Sequence, residues 1–326
     1  MQKHDAWARF WRTGSLTSFG DRFSEGYQGG IRALWTEFFA SLPEAAIVAD
    51  LGAGNGALEE IAQKHCAERE RALVVHAFDL APELPARFRG ESASGRCAIE
   101  WHPATANEAT GLDDSSVDAV TGNYAFEYGD AARTIAEIAR ILKPGGKCRF
   151  LMHHVDSNII RNARSELALL DAELEKGGFL DAVRDYLREF GDIRKPAQFE
   201  KMKQSGRAEP WRRRMNETHQ HALQFATTEN VVVLIRQVMQ WTGQLVSPPV
   251  FFEPKAVLLD RLKQIRQELS ANRSRLRDMQ AAAIDQDGMN RIVEAFRVQG
   301  MTASAEPFFI NEEPATVGWR VSAERG

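Results

Sequence analysis

Short runs of apolar residues alternate with helical repeats of apolar residues through the first half of the chain. The runs that predict buried strands are Ile47–Ala49, Leu73–Phe78, a weak run near Ile99, Val117–Val120 and Cys148–Met152. The segments with helical spacing are Ile31–Phe39, Ala57–Cys66 and Ala131–Leu142. This order of strands and helices predicts a parallel sheet with helices on both faces.

The alternation ends near Asp156, and the stretch that follows has helical patterning with almost no strand pattern. Residues 180–190 carry one helical stripe, and Thr228 precedes a second helix that continues through Trp241. After Pro254 a long helix shows apolar residues at 4-3 spacing. Its seam consists of Leu258, Leu262, Ile265, Leu269, Leu276, Met279 and Ala283, with Asn272 as the interruption. This seam predicts coiled-coil packing, within the chain or across a dimer.

A helix over Gly288–Val298 leads into two strands, Met301–Ile310 and Thr316–Ser322, which we predict to form an antiparallel hairpin. The predicted fold class is α/β, a doubly wound and mostly parallel sheet with this hairpin and an all-helical insertion. The expected domains are an N-terminal helical lid segment at 1–40, a ligand-binding α/β domain at 41–155 and 286–326, and the helical insertion at 156–285.

The composition is that of an ordinary globular chain, with 326 residues, 44% hydrophobic, 26% charged and a net charge of −4. This charge gives no global attraction to nucleic acid or to an anionic membrane. No apolar run is long enough for a membrane span, and the segment MQKHDAWARFWR lacks the apolar region of a secretory signal. Cys66, Cys97 and Cys148 show no metal-ligand spacing, so we expect reduced thiols and a cytoplasmic protein.

The strongest local motif is a glycine loop, Asp50–Gly56, between a predicted strand and a predicted helix. Glycines at such a turn let the backbone bend tightly and let a ligand approach closely. The spacing here is G-x-G-x-G, whereas the dinucleotide fingerprint is G-x-G-x-x-G. The loop also opens with a carboxylate, Asp50, which would repel a pyrophosphate. The pattern favours a ligand with positive charge and no phosphate.

Four segments of the first half carry a recognisable pattern: VADLGAGNGALEEIA, VVHAFDLAPE, LDDSSVDAVTGNYAFEY and ARTIAEIARILKPGGKCRF. They resemble the class I S-adenosylmethionine-dependent methyltransferases, in particular the ubiquinone-biosynthesis-type branch. The resemblance covers residues 45–154 well and the closing hairpin loosely, and it does not extend to 156–285. It implies S-adenosylmethionine as cofactor, S-adenosylhomocysteine as product, and Asp79 as the group that accepts the ribose hydroxyls.

The cofactor-binding residues expected from the loop, the strand ends and the resemblance form one set. They are Tyr27, Asp50, Gly52, Ala53, Gly54, Gly56, Asp79, Leu80, Ala106, Asn107, Asn123 and Tyr124. The sequence departs from the family at Thr105–Asn107, where an Asp that holds the adenine amino group is often present. Tyr27 lies in a glycine-rich stretch suited to a closing lid, where its ring could contact the sulfonium by cation–π attraction; ordinary packing is the alternative.

Candidate catalytic residues follow the fourth and fifth strands, because ligands of doubly wound sheets lie beyond the carboxyl ends of the strands. The fourth strand is followed by Asn123, Tyr124 and Glu127, and the fifth is followed by His153, His154 and Asp156. Since strand side chains alternate, we expect His154 to face the crevice as a general base, with Asp156 as its orienting partner. Both histidines could instead be polar residues that close the strand. No metal site is predicted, because no third ligand lies nearby.

The insertion is expected to build the acceptor pocket or a homodimer contact, with apolar residues such as Trp211, Trp241, Phe251 and Phe252 lining the pocket or forming its own core. A basic segment at 194–214 contains Glu200 and Glu209 as its only acids and could be a solvated face or bind phosphates. The favoured function is methylation of a small molecule in a secondary pathway, on oxygen in preference to nitrogen or carbon. The open alternatives are RNA methylation, another transfer or cyclisation of the cofactor, and a non-catalytic binding protein.

Overall fold

The computed structural model describes residues 3–18, 26–83, 85, 96–310 and 315–326. The strands are β1 (Ala46–Leu51), β2 (Leu73–Asp79), β3 (Cys97–Pro103), β4 (Val117–Asn123), β5 (Leu142–Met152), β6 (Met301–Phe308) and β7 (Gly318–Arg325). The helices are α1 (Lys3–Trp11), α2 (Gly29–Ala40), α3 (Ala57–Arg69), α4 (Ala131–Ile141), α5 (Asn158–Leu174), α6 (Phe179–Phe190), α7 (Pro196–Gln204), α8 (Glu209–Leu223), α9 (Glu229–Leu245), α10 (Lys255–Ala282) and α11 (Gln286–Val298).

The described strands form a seven-stranded sheet in the order β3-β2-β1-β4-β5-β7-β6. Strands β1 to β5 pair in parallel, with Val48 opposite Val75 on β2 and Ala49 opposite Val120 on β4. Strand β7 pairs antiparallel with both β5 and β6. The chain turns from β1 to one side of the sheet and later returns to β4 on the other, so the switch point lies between β1 and β4. The predicted fold class is confirmed.

Two apolar clusters cover the two faces of the sheet. One joins α2 and α3 to residues such as Val48 and Val75, with Trp35 at its centre. The other joins α4 and α11 to the opposite face, with Phe150 and Phe296 among its fully buried rings. Burying whole side chains of this size contributes about 1.5–3 kcal/mol each. These clusters hold the carboxyl ends of the strands in fixed positions.

Local capping groups start several of the helices. Asp130 accepts a hydrogen bond from the backbone N–H of Arg133 at the start of α4, and Asp285 accepts one from Gly288 at the start of α11. Thr228 caps α9 through the N–H of Val231. Such caps satisfy backbone donors that have no partner inside the helix.

The described chain divides into two compact units. The first consists of residues 1–160 and 278–326 and contains the whole sheet, and the second consists of residues 161–277 and is helical. None of the helices within the described ranges is long and apolar enough to cross a membrane.

The apolar seam of the long helix α10 is buried within a single chain. Leu258, Leu262, Leu269 and Leu276 are each no more than 4% exposed. Within the described residues, packing inside the chain therefore covers these leucines, which leaves them no free face for a second copy. A homodimer through the insertion stays a prediction and needs another surface.

Candidate functional site

A cavity of about 720 Å³ lies at the carboxyl ends of β1, β2 and β4, beside the switch point of the sheet. Its size falls in the range of roughly 300–1,000 Å³ that is usual for ligand pockets. The predicted cofactor residues that line it are Tyr27, Asp50, Gly52, Ala53, Asp79, Leu80, Ala106, Asn107, Asn123 and Tyr124. Gly54 and Gly56 are not among the lining residues. The structure thus brings together most of a set that spans nearly 100 positions of the sequence.

The glycine loop adopts backbone conformations that only glycine takes readily. Gly52, Gly54 and Gly56 have φ values of 76°, 57° and 88°. A Cβ on Gly52 would lie 2.3 Å from the Cβ of Ala125, and one on Gly54 would lie 2.8 Å from the Trp11 ring. Strain and lack of space therefore both require glycine at these two positions.

Asp79 stands at the end of β2 and fixes the position of the loop. Its Oδ2 accepts a hydrogen bond of 2.8 Å from the N–H of Gly54, and its Oδ1 accepts one of 2.7 Å from the N–H of Ala81. Burial raises the pKa of Asp79, and these two N–H donors oppose the rise. Each carboxylate oxygen keeps a further lone pair, so Asp79 can still accept hydroxyl groups of a ligand.

Asp50 forms a buried acid pair with Glu59 of α3. Thr121 donates a 2.6 Å hydrogen bond to Oδ1 of Asp50, and Asp50 and Glu59 are 2% and 0% exposed. Burial raises the pKa of Asp50 to about 6 and raises that of Glu59, whose charge is further opposed by Asp50. Sequence reasoning missed Glu59, because the Glu59–Glu60 pair resembles the polar side of a helix. Two neighbouring buried acids would favour a cationic ligand.

Aromatic rings from α1 cover part of the same cavity. Trp7 and Trp11 line it together with Tyr128, and the rings of Trp7 and Tyr128 meet edge to face with centroids 5.4 Å apart. Asn55 of the glycine loop holds this segment, because its Nδ2 donates to the carbonyl oxygens of Trp11 and Ser15 at 2.8 Å each. Trp7, Trp11 and Tyr128 were not among the residues expected at the cofactor site. Helical spacing alone does not show where an aromatic helix docks.

Tyr27 is 4% exposed and lines the cavity, and burial raises the pKa of its hydroxyl. The neighbouring residues 19–25 lie outside the described part of the chain. The lid role of residues 1–40 stays a prediction, as does the contact of Tyr27 with a sulfonium.

Asn123 ends β4, Tyr124 follows it, and both line the cavity. Trp35 donates a 3.0 Å hydrogen bond from Nε1 to Oδ1 of Asn123, which orients the amide. Tyr124 has a φ of 54°, unusual for a residue with a side chain, and its hydroxyl donates to the carbonyl oxygen of Val317 at 3.1 Å. Strained backbone of this kind persists where the surroundings hold it, and such residues are concentrated at functional sites.

The two histidines after β5 take positions that strand alternation does not predict. His153 is fully buried, and its ring stacks on Tyr124 with centroids 4.6 Å apart. His154 stacks on Trp319 at 4.5 Å, and its Nδ1 accepts from the N–H of Asp156 at 2.9 Å. Neither histidine nor Asp156 lines the cavity. The expectation that His154 faces the crevice is corrected, because β5 ends at Met152 and alternation stops there.

Glu127 lies beneath this region and was expected only as one of several residues after β4. Its Oε1 accepts a 2.6 Å hydrogen bond from the N–H of His153, and Oε2 is buried with no partner among the described residues. Burial raises the pKa of Glu127 from 4.5 to about 7. Its carboxyl group therefore changes protonation near neutral pH.

The basic segment 194–214 has more acidic partners than its own sequence shows. Arg207 pairs with Glu189 at 3.4 Å, and Arg214 pairs with Asp185 at 3.0 Å. Both acids belong to α6 and precede the segment. Folding therefore adds acidic neighbours to Glu200 and Glu209, because α8 packs against α6.

Phe251, one of the apolar residues suggested for an acceptor pocket, is fully buried. Its ring meets Phe199 at 5.2 Å and Tyr186 at 5.9 Å between centroids, within the core of the helical unit. Phe251 therefore fits the alternative reading, a core residue of the insertion.

Comparison with known proteins relates the part of the sheet domain that carries β1 to β5 to a known family. Residues 49–150 match the family model described as "Methyltransferase domain". An uncharacterized methyltransferase of Mycobacterium tuberculosis is 38% identical over 119 residues, which are 36% of this chain and 44% of that protein. A ubiquinone/menaquinone biosynthesis C-methyltransferase of Desulfotalea psychrophila is 29% identical over 118 residues, 35% of this chain and 45% of that protein. The chain thus spans less than half the length of these curated relatives.

Among solved structures, an S-adenosylmethionine dependent methyltransferase from Mesorhizobium loti is 28% identical, with a TM-score of 0.31 and coverage of 38% of this chain and 56% of that one. The family match coincides with β1 to β5 and with the glycine loop, Asp79 and the strand ends that form the cavity. Residues 49–150 therefore match a methyltransferase domain, which agrees with the family and the cofactor expected from the sequence motifs.

Proposed function

We propose that the chain is an S-adenosylmethionine-dependent enzyme that methylates an oxygen atom of a small molecule with an apolar or aromatic body. The observation that carries the proposal is a single cavity in which buried carboxylates and a wall of aromatic rings meet. The carboxylates suit a cationic cofactor, and the rings suit an uncharged acceptor.

The proposal assigns residues of the cavity to each part of the cofactor. Asp50, with Glu59 behind it, would hold the ammonium group, and Asp79 would accept the ribose hydroxyls. Leu80 and the Ala106–Asn107 segment would bracket the adenine, where backbone groups replace the side chain that this sequence lacks. Each of these residues except Glu59 lines the cavity.

The acceptor would lie against Trp7, Trp11 and Tyr128. These rings present flat apolar surface, which binds planar or hydrocarbon groups with little loss of side-chain entropy. Carboxylates outnumber cations among the residues that line the cavity, and one of the lining cations, Arg12, lies 3.7 Å from Glu83. An acceptor with little negative charge fits this balance.

In O-methylation the acceptor oxygen attacks the methyl carbon, and the electron pair of the breaking S–C bond passes to sulfur. The hydroxyl proton then needs an acceptor, unless the oxygen is already ionised. His154, the base expected from the sequence with Asp156 as its orienting partner, does not line the cavity. Asp278 of α10 does line it and is the candidate base on position. Holding the acceptor in line with the methyl group would supply much of the acceleration.

RNA methylation is less well supported than small-molecule methylation. The basic segment that suggested it is partly neutralised by Asp185, Glu189 and Asp192, which lie 3.0–3.9 Å from arginines of the segment. Transfer of another group of the cofactor, or its cyclisation, would use the same cavity. The thioether product distinguishes these reactions from methyl transfer.

The test uses cofactor labelled in its methyl group, incubated with the protein and a cell extract that is then separated into small molecules, RNA and protein. Label in a small molecule, with S-adenosylhomocysteine formed in equal amount, is the expected result. Label in RNA would reject the acceptor class, and release of methylthioadenosine would reject methyl transfer. A Trp7→Ala variant should lose methylation of the small molecule and retain binding of S-adenosylhomocysteine.

A further inference from the structure

Two histidines and a glutamate meet on the edge of the sheet, on strands β2 and β3. His76 lies directly opposite Glu100 in the parallel pairing, and His102 lies opposite Phe78. Residues two apart on a strand face the same side, so His102 shares a face with Glu100 and with His76 across the ladder. Among the described residues these three are the group of His, Cys, Asp and Glu side chains close enough to hold one metal ion.

The distances between their polar atoms are those of metal ligands. Nδ1 of His76 lies 3.1 Å from Nε2 of His102 and 3.4 Å from Oε2 of Glu100, and one ligand atom from each residue lies within 4.8 Å of the others. Tetrahedral bonds of about 2.0–2.1 Å to zinc place neighbouring ligand atoms about 3.3 Å apart. The three side chains need little rearrangement to share an ion.

The surroundings hold two of the three ligands in place. The ring of His102 stacks on the buried ring of Phe78, with centroids 4.5 Å apart and 17° between planes. The side chain of His76 is 15% exposed, whereas that of Glu100 is 58% exposed and leaves an open approach. Two ordered imidazoles with one accessible carboxylate form a site that an ion can enter from solvent.

We propose that His76, Glu100 and His102 bind one divalent transition-metal ion of the zinc class, with the fourth position open to water. Two imidazoles and one carboxylate favour zinc, cobalt or nickel over magnesium, which prefers oxygen ligands. The sequence pattern does not indicate this site, because Glu100 and His102 lie 24 and 26 positions after His76, on a strand that only the fold places beside that of His76.

The ion would link strand β2 to strand β3 at the edge of the sheet. Strand β3 has a neighbour only at β2 among the described strands, and the segments that line the cavity leave the ends of both strands. The N–H of Thr105 already donates to the carbonyl oxygen of Asp79 at 3.0 Å, which links these segments. A metal that joins β2 to β3 would stabilise this side of the cavity without taking part in methyl transfer.

The test is metal binding by the full chain after treatment with a chelator. Titration with Co²⁺ should show one ion per chain and the visible absorption of tetrahedral cobalt, and Zn²⁺ should displace it while Mg²⁺ should not. Zinc at about 100 times its dissociation constant should raise the Tm by roughly 5 °C or more.

Matched variants separate the site from other histidines. His102→Phe keeps a ring on Phe78 and should weaken Co²⁺ binding by about 100-fold, and Glu100→Gln, at an exposed position, should weaken it by about 10-fold or more. The control His221→Ala removes an exposed imidazole of α8 and should bind cobalt like the unchanged protein. Cobalt binding that is equal in the Glu100→Gln, His102→Phe and unchanged proteins would overturn the proposal and leave only a hydrogen-bonded histidine pair.

Discussion

Replacing Glu127 by Gln should make the protein more stable at alkaline pH and leave its stability almost unchanged at acidic pH. Gln resembles the protonated carboxyl group and keeps an oxygen that can accept from the N–H of His153. In the folded chain, burial raises the pKa of Glu127 to about 7, whereas the unfolded chain has the ordinary value of 4.5. Between these values the folded state binds the extra proton, so stability falls as pH rises.

The size of the effect follows from the two pKa values. Their difference means that ionised Glu127 lowers the unfolding free energy by about 3 kcal/mol. This loss is complete above a pH of about 7 and absent below about 4.5. Because other groups titrate in both proteins, the informative quantity is the difference between the variant and the unchanged protein at each pH. That difference should grow by roughly 2–3 kcal/mol between about pH 4.5 and about pH 8 in favour of the variant.

Urea unfolding followed by tryptophan fluorescence and by far-ultraviolet circular dichroism would measure this difference across the pH range. Glu68→Gln, on the exposed side of α3, is the matched control and should shift the unfolding free energy by less than about 0.5 kcal/mol at each pH. A Glu127→Gln difference that stays constant from acid to alkaline pH would refute the reasoning. It would mean that the folded protein ionises Glu127 as easily as the unfolded chain does.

Three further predictions concern the cavity. Asp79→Ala should weaken S-adenosylhomocysteine binding by about 1–3 kcal/mol in calorimetry, and Asp79→Asn, which keeps one acceptor oxygen, should weaken it less. Equal affinity in both variants and the unchanged protein would show that Asp79 does not bind the ribose. Gly54→Ala should cost roughly 1–2 kcal/mol from the positive φ and also displace Trp11, whereas Gly145→Ala, with nothing within 4 Å, should show only the first effect in thermal unfolding and fluorescence. His154→Ala should leave kcat and its pH profile unchanged, because the ring stacks on Trp319 outside the cavity; a large loss of kcat with intact cofactor affinity would restore it as the base.

The sequence predicts the sheet well because its signals are local. Apolar runs of the right length specify β1, β2, β4 and β5, and the Asn-Glu-Glu-Pro break between the last two runs indicates the hairpin. Asp50 and Asp79 could be placed at one site because the carboxyl ends of adjacent parallel strands lie at one edge. Periodicity and topology together are sufficient for this part of the site.

Other parts of the site depend on contacts that periodicity does not encode. The docking of Trp11 over the glycine loop depends on Asn55, more than 40 positions away. The turn after Met152 sends His153 beneath Tyr124 and His154 toward Trp319, and alternation gives no sign of where a strand will end. The sequence pattern indicates a surface position for Glu59, whereas packing of α3 on the sheet buries it completely.

The buried acids around the cavity point to a coupling between protons and cofactor. Burial raises the pKa of Asp50, Glu59 and Asp79, so the charged forms of these carboxyl groups are costly. A ligand that carries an ammonium and a sulfonium offsets that cost, because a nearby positive charge favours the ionised acid. Binding of S-adenosylmethionine would then release protons and lower these pKa values, and the affinity would rise with pH through the range in which Asp50 ionises, near a pKa of about 6. S-adenosylhomocysteine keeps the ammonium and lacks the sulfonium. With the cofactor placed as proposed, these acids would favour S-adenosylmethionine over S-adenosylhomocysteine and would assist release of the product after the methyl group has left.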